Sequence, residues 1–152
     1  MRIAIGSDHA GYELKEIIKS HLADSGVEVD DLGTTSEASV DYPDYAAAVA
    51  RRVASGMSER GILICGTGIG MAIAANKVHG IRAASVESLE AARLSRAHND
   101  ANVLTLGARI TPADLALGIV RTFLDTPFDG GRHQHRVDKI TALDDRHSDV
   151  SP

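Results

Sequence analysis

Short β-prone runs alternate with longer amphipathic stretches from one end of the chain to the other, and few folds accept that alternation. The β-prone runs are Ile3–Ile5, Val27–Asp31, Gly61–Cys65, Ile81–Ser85 and Asn102–Leu106. Between the first two, Leu14, Ile17, Ile18 and Leu22 fall on one helical face. Ala46, Val49, Ala50 and Val53 do the same ahead of the third. Strands separated by helices pair in parallel, because each crossover returns the chain to the same end of the sheet. The pattern predicts an α/β chain, a three-layer αβα sandwich around a Rossmann-like five-stranded parallel sheet. Gly26, Gly56 and Gly80 stand between helical patterns and strands, where a left-handed residue ends a helix. Thr111-Pro112-Ala113-Asp114 reads as a helix start, with a hydroxyl cap, a first-turn proline and a carboxylate at the positive end. That helix buries Ala116, Ile119, Val120 and Phe123 and stops before Pro127. A last helix is expected from near Gly131 to about Leu143, followed by a polar, frayed tail, Asp144–Pro152. With no repeat or linker, the 152 residues read as a single domain.

Composition removes several classes of function. Sixteen basic against 21 acidic residues give a formal charge of −5, the wrong sign for a general nucleic-acid binder. Aromatics make up only 3% and Trp is absent, so base-stacking platforms are not expected. No apolar run approaches the ~18 residues of a membrane span, and Met1–Gly6 enters a strand pattern without a cleavage signal. The single cysteine, Cys65, excludes an internal disulfide and suits a reducing cytoplasm.

In parallel α/β sheets ligands sit beyond the carboxyl ends of the strands, so the polar residues near the strands are the candidates. Gly6-Ser7-Asp8-His9-Ala10-Gly11 follows the first strand. Cys65-Gly66-Thr67-Gly68-Ile69-Gly70 follows the third and opens a helix expected over Met71–Val78. Alternating glycines let backbone N–H groups converge on an anion. The run is not a dinucleotide fingerprint, whose third glycine would fall on Met71, and no Gly-Lys-Ser/Thr makes it a P-loop. Cys65 is either a base or nucleophile whose thiolate the helix start stabilises, or a small buried hydrophobe. Asp8 and His9 suit acid–base work, metal binding or phosphate contact, and His98 is a second proton carrier. Arg132 and Arg136, four apart on the last helix, form either a phosphate clamp or a solvated face. His133 and His135 diverge on a helix and no third ligand is spaced to join them, so no metal site is expected.

The segments Gly6–Gly11, Asp41-Tyr42-Pro43, Ile64–Gly70, Ala74–Lys77, Ala92–Leu104 and Gly130–Val137, in this order, resemble those of the type B ribose-5-phosphate isomerases. That wider family includes galactose-6-phosphate isomerase subunits and other aldose–ketose phosphate isomerases. The resemblance runs from Arg2 to about Leu143. It implies interconversion of an aldose phosphate and its ketose through an enediolate, without a metal or cofactor. Cys65 would be the base that moves a proton between C2 and C1, and His98 the acid in ring opening. Asp8 and Thr67 would assist them. The N–H groups of Gly66, Thr67, Gly68, Ile69 and Gly70 would hold the enediolate oxygen. His9, Arg132 and Arg136 would contact phosphate, and Tyr42, Asn99 and Arg109 further parts of the sugar phosphate. The family shares its sites between subunits, which implies a homodimer or a dimer of dimers. One branch carries its base as a glutamate just after the glycine loop; this chain has Met71 there and keeps the cysteine.

The residues fit such chemistry. Taking a proton from beside a carbonyl needs a base matched to working pH and donors where negative charge develops. A remote phosphate clamp supplies binding energy for orientation. Ribose 5-phosphate is the favoured substrate, with allose 6-phosphate, galactose 6-phosphate or a tetrulose 4-phosphate as alternatives. Two other classes compete: a regulator that binds sugar phosphate without turning it over, and a thiol redox sensor, which would need a cysteine from another chain.

Overall fold

The computed structural model describes residues 1–148. In chain order the elements are β1 (Arg2–Ser7), α1 (Tyr12–Asp24), β2 (Glu28–Asp31), α2 (Tyr42–Ala54), β3 (Arg60–Cys65) and α3 (Ile69–Ala75). They continue with β4 (Ala83–Ser85), α4 (Leu89–Ala97), β5 (Val103–Gly107), α5 (Ala113–Asp125) and α6 (Arg132–Ser148). The five strands form one all-parallel sheet in the order β2-β1-β3-β5-β4. The chain winds outward from β1 to β2 on one side and starts again from β3 on the other. The crevice between the carboxyl ends of β1 and β3 is therefore the switch point where such sheets take ligands.

Both faces of the sheet are covered, as an all-parallel sheet requires. Ile3, Ile5, Ile62, Ile64, Leu104 and Leu106 point to one face and pack against α1, α4 and α5. Ala4, Leu63, Cys65 and Val103 point to the other, against α2 and α3. The predicted α/β sandwich with five parallel strands is thus present.

The details depart from expectation in four places. Ile17 is 44% exposed, and the fourth interior position of α1, beside Leu14, Ile18 and Leu22, belongs to Lys15, which is fully buried. Its Nζ lies 2.7 Å from Asp31 Oδ2, 2.9 Å from Glu16 Oε1 and 5.4 Å from the centre of the Tyr12 ring, so the charge is matched. Thr111 does not cap α5: Pro112 holds the N-cap position, and the buried Thr111 hydroxyl has no hydrogen-bond partner among the described residues. The helix after the glycine turn is Ile69–Ala75 rather than Met71–Val78. Asn76 stops it, its side chain accepting from the Ala83 N–H (2.8 Å) and donating to the Ala83 carbonyl (3.0 Å). Last, α6 runs past Leu143 to Ser148. Residues 144–148 of the expected frayed tail are therefore helical, and 149–152 lie outside the described residues. Asp144 accepts the Gly80 N–H at 2.8 Å, which ties that stretch to the turn before β4.

Candidate active site

The carboxyl ends of β1 and β3 are held together by backbone contacts that leave no slack. Asp8 donates its N–H to the Ile64 carbonyl at 3.2 Å, and its Oδ1 accepts the Gly11 N–H at 3.1 Å. A Cβ at Gly11 would stand 2.4 Å from the Ile64 carbonyl oxygen, so only glycine lets α1 begin this close to β3. The Asp8 carboxylate, 6% exposed, is thereby fixed at the switch point.

Cys65 ends β3, 5% exposed, with Sγ accepting the Gly68 N–H at 3.1 Å. Gly68 has φ 79°, and its carbonyl is held by the Thr105 hydroxyl at 2.8 Å. A thiolate here is met by a directed N–H; a helix of seven residues adds little through its dipole. Of the loop amides expected to form an oxyanion hole, Gly68 is engaged by the thiol and Ile69 by Thr67 Oγ1 at 3.3 Å. Gly70 and Met71 occupy the first turn of α3, where N–H groups have no carbonyl within the helix. Met71 is fully buried in the α2–α3 core, so a packing side chain fills that position.

Around this floor lies an open cleft of about 430 Å³ lined by Asp8, Tyr42, Cys65, Thr67, Ile73 and Arg109, with the glycine turn beneath. The Tyr42 ring rests on Gly70, where a Cβ would be 2.6 Å from it, and the Arg109 guanidinium lies 3.0 Å from the same point on Gly66. His9 Nδ1 accepts the Val40 N–H at 3.2 Å, which leaves Nε2 as the donor nitrogen of the neutral ring.

The remaining expected residues lie elsewhere. His98 caps the end of α4, and the chain then enters β5 at its amino end. Cys65 pairs with Gly107 at the carboxyl end of β5, four steps beyond Val103. At ~3.3 Å per residue, roughly 13 Å of strand separates those two ends of the sheet. Asn99 follows His98, and the start of α6 joins them because the Asp129 N–H donates to the Ala97 carbonyl at 3.0 Å. The expected residues thus divide. Asp8, His9, Tyr42, Cys65–Gly70 and Arg109 gather at the carboxyl rim of the sheet; His98, Asn99, Arg132 and Arg136 sit at the amino rim.

The amino rim also holds a pair that sequence reasoning missed. His133 stacks on His98 with ring centres 4.2 Å apart and planes within 10°. Burial depresses the His133 pKa below the ordinary imidazole value, and the charges of His98, Arg132 and Arg136 add to this against Asp129. One signal could have shown it: His133 and Val137 are four apart and both almost wholly buried, which marks the inner face of α6. Spacing along one helix offers His133 no partner ligands, but the fold brings side chains from other segments to it. His98, Asp129 and His133 bring their ligand atoms within 4.8 Å of one another, joining segments that are remote in sequence.

Comparison with known proteins places this arrangement. Residues 3–140 match the ribose/galactose isomerase family. The chain belongs to that family. It is 52% identical over 145 residues to ribose-5-phosphate isomerase B of Escherichia coli, covering 95% of this chain and 97% of that protein. The solved structure of ribose-5-phosphate isomerase B from Clostridium thermocellum superposes with a TM-score of 0.96 at 54% identity, covering 97% and 99% of the two chains. That of the Mycoplasma genitalium enzyme with bound ribulose-5-phosphate gives 0.92 at 45% identity, covering 98% and 97%. Membership carries the enzyme class, aldose–ketose isomerisation, and the all-parallel sheet described above is the fold these structures share. No helix among the described residues is long and apolar enough to cross a membrane.

Proposed function

We propose that this isomerase interconverts D-ribose 5-phosphate and D-ribulose 5-phosphate in the cytoplasm, with Cys65 as base and no cofactor. The observation that carries the reading is Cys65 Sγ at the switch-point crevice, 3.1 Å from the Gly68 N–H. In the open-chain aldose, the thiolate takes the C2 proton. The C2 electron pair closes the C1–C2 double bond, and the C1 carbonyl oxygen becomes the enediolate oxygen. The thiol then returns a proton to C1, and the C2 hydroxyl proton passes to the C1 oxygen, which leaves a ketone at C2 and a hydroxyl at C1. First-turn amides of α3 face the developing charge. Asp8 and Thr67 orient the hydroxyls beside C1 and C2, and Tyr42, Asn99 and Arg109 frame the sugar.

Opening the furanose ring needs an acid, assigned to His98, and the phosphate needs hydrogen-bond donors and cations, assigned to His9 Nε2–H and to Arg132 and Arg136. Cys65 and His98 lie at opposite ends of one chain's sheet, so the complete site takes its carboxyl rim from one copy and its amino rim from a second. Exposed apolar side chains beside the cleft agree with a covering partner: Ile69 is 54% exposed, Ile73 60% and Tyr42 40%. The working form is therefore a homodimer, or a dimer of dimers.

A panel of sugar phosphates tests the substrate. Purified protein with chelator present should turn over ribose 5-phosphate faster than allose 6-phosphate, galactose 6-phosphate or erythrulose 4-phosphate. Turnover confined to one of the others would reassign the substrate and keep the chemistry. Tight binding of all four without turnover would refute the isomerase.

A further inference from the structure

We infer that His98, Asp129 and His133 form a site for a transition-metal dication, represented by Zn²⁺, and that the bound ion switches the enzyme off. The three ligand atoms come from the end of α4, the loop before α6 and the first turn of α6, and lie within 4.8 Å of one another. Two imidazole nitrogens and one carboxylate oxygen are a donor set that holds zinc with a fourth position left to water. The two segments are joined through the backbone, because the Asp129 N–H donates to the Ala97 carbonyl at 3.0 Å, one residue before His98.

Zinc bonds of about 2.0–2.1 Å in a tetrahedron place ligand atoms roughly 3.4 Å apart, so the collar must tighten on binding. Asp129 is exposed and free to turn inward. The stacked rings, within 10° of parallel, must rotate apart, which makes the histidine stack and the metal complex alternative states of one site. Arg132 and Arg136 repel any cation, so the ion must gain strongly from imidazole. That selects Zn²⁺, Ni²⁺ and Cu²⁺ over Mg²⁺ and Ca²⁺. A coordinated His98 nitrogen can no longer give a proton to a sugar; this consequence rests on the function proposed above.

Co²⁺ is the spectroscopic probe for the site and Zn²⁺ the inhibitor. The wild type should give the visible absorption of tetrahedral Co²⁺, displaced by Zn²⁺, and should lose turnover as Zn²⁺ is added. Cys65→Ser should keep the absorption, which removes the thiol as the ligand. Asp129→Asn, outside the catalytic machinery, should keep basal turnover and need at least ~10-fold more Zn²⁺ for half-inhibition. No Co²⁺ absorption in the wild type, or absorption lost in Cys65→Ser and unchanged in Asp129→Asn, would overturn the site. Absorption that depends on Asp129, with turnover untouched by Zn²⁺, would overturn the switch and, with it, the role given to His98.

Discussion

Two residues in the protein interior do opposite things with charge. Cys65 sits where an N–H waits for negative charge, 3.1 Å from Sγ, whereas Lys15 is fully buried with its charge already matched by Asp31 at 2.7 Å. Lys15 also reaches the active site indirectly. Asp31 Oδ1 accepts the Gly33 N–H at 2.9 Å, and the Gly33 carbonyl accepts the Ser7 N–H at 2.6 Å, one residue before Asp8. Lys15→Met removes the buried member of a partly exposed pair, and Lys19 still holds Asp31 at 2.6 Å. The expected loss of unfolding free energy is about 1 kcal/mol, read from urea denaturation. Acid acts on the same network. Burial opposes ionisation of Asp31, but hydrogen bonds from Lys15, Lys19 and the Gly33 N–H outweigh it and hold the carboxyl below its ordinary pKa. A depressed carboxyl contributes stability that is present above its unfolded pKa and lost as pH falls through the folded one. The urea midpoint should therefore drop steeply below about pH 4, and less steeply in Asp31→Asn.

At the scale of elements, the glycine turn between β3 and α3 is held in shape by a neighbouring strand. The Thr105 hydroxyl donates to the Gly68 carbonyl at 2.8 Å, and the Arg109 N–H to the Gly66 carbonyl at 3.0 Å. Thr105→Val keeps the volume and removes one of the two hydrogen bonds to the Gly68 carbonyl, which still accepts the Ala72 N–H at 3.1 Å, at a cost of roughly 0.5–1.5 kcal/mol. Turnover should fall more than sugar-phosphate affinity, because Gly68 carries the amide that meets Cys65; an equal loss in both would make the bond purely structural. Elements of this kind were largely legible in the sequence, because strand and helix periods differ and glycine marks the turns. All five β-prone runs are strands, and Ala46, Val49, Ala50 and Val53 are buried as expected. The illegible parts depend on partners remote in the chain. Periodicity favours Ile17 over Lys15 because it cannot see Asp31 across β2. The length of α3 is set by Asn76 finding Ala83, and α6 continues beyond Leu143 with Asp144 tied to Gly80.

At the scale of the molecule, the parallel sheet separates the two sets of candidate residues. Each motif reads correctly as a polar cluster near a strand, yet the sequence does not say at which end of the sheet a cluster falls. His98 and Asn99 precede β5 and Arg109 follows it, which puts them at opposite rims. If one complete site needs Cys65 of one copy and His98 of another, two defective variants can repair each other. Cys65→Ala and His98→Asn, each nearly inactive alone, should on mixing regain about a quarter of wild-type turnover. Half of the randomly paired dimers are then hybrids, each with one intact site of two. Recovery should appear only after subunits exchange. No recovery despite proven exchange would mean that both residues serve one chain's site.

The assignment of Cys65 as base is tested most directly by the rate of ribose 5-phosphate isomerisation in the wild type and in Cys65→Ala, with sugar-phosphate affinity measured on the same samples. Turnover should fall by at least ~10²–10⁴-fold while affinity changes little, since the thiol acts on the proton and not on the phosphate. A Cys65→Ala enzyme that stays folded and retains turnover within about tenfold of wild type would show that another group carries the proton.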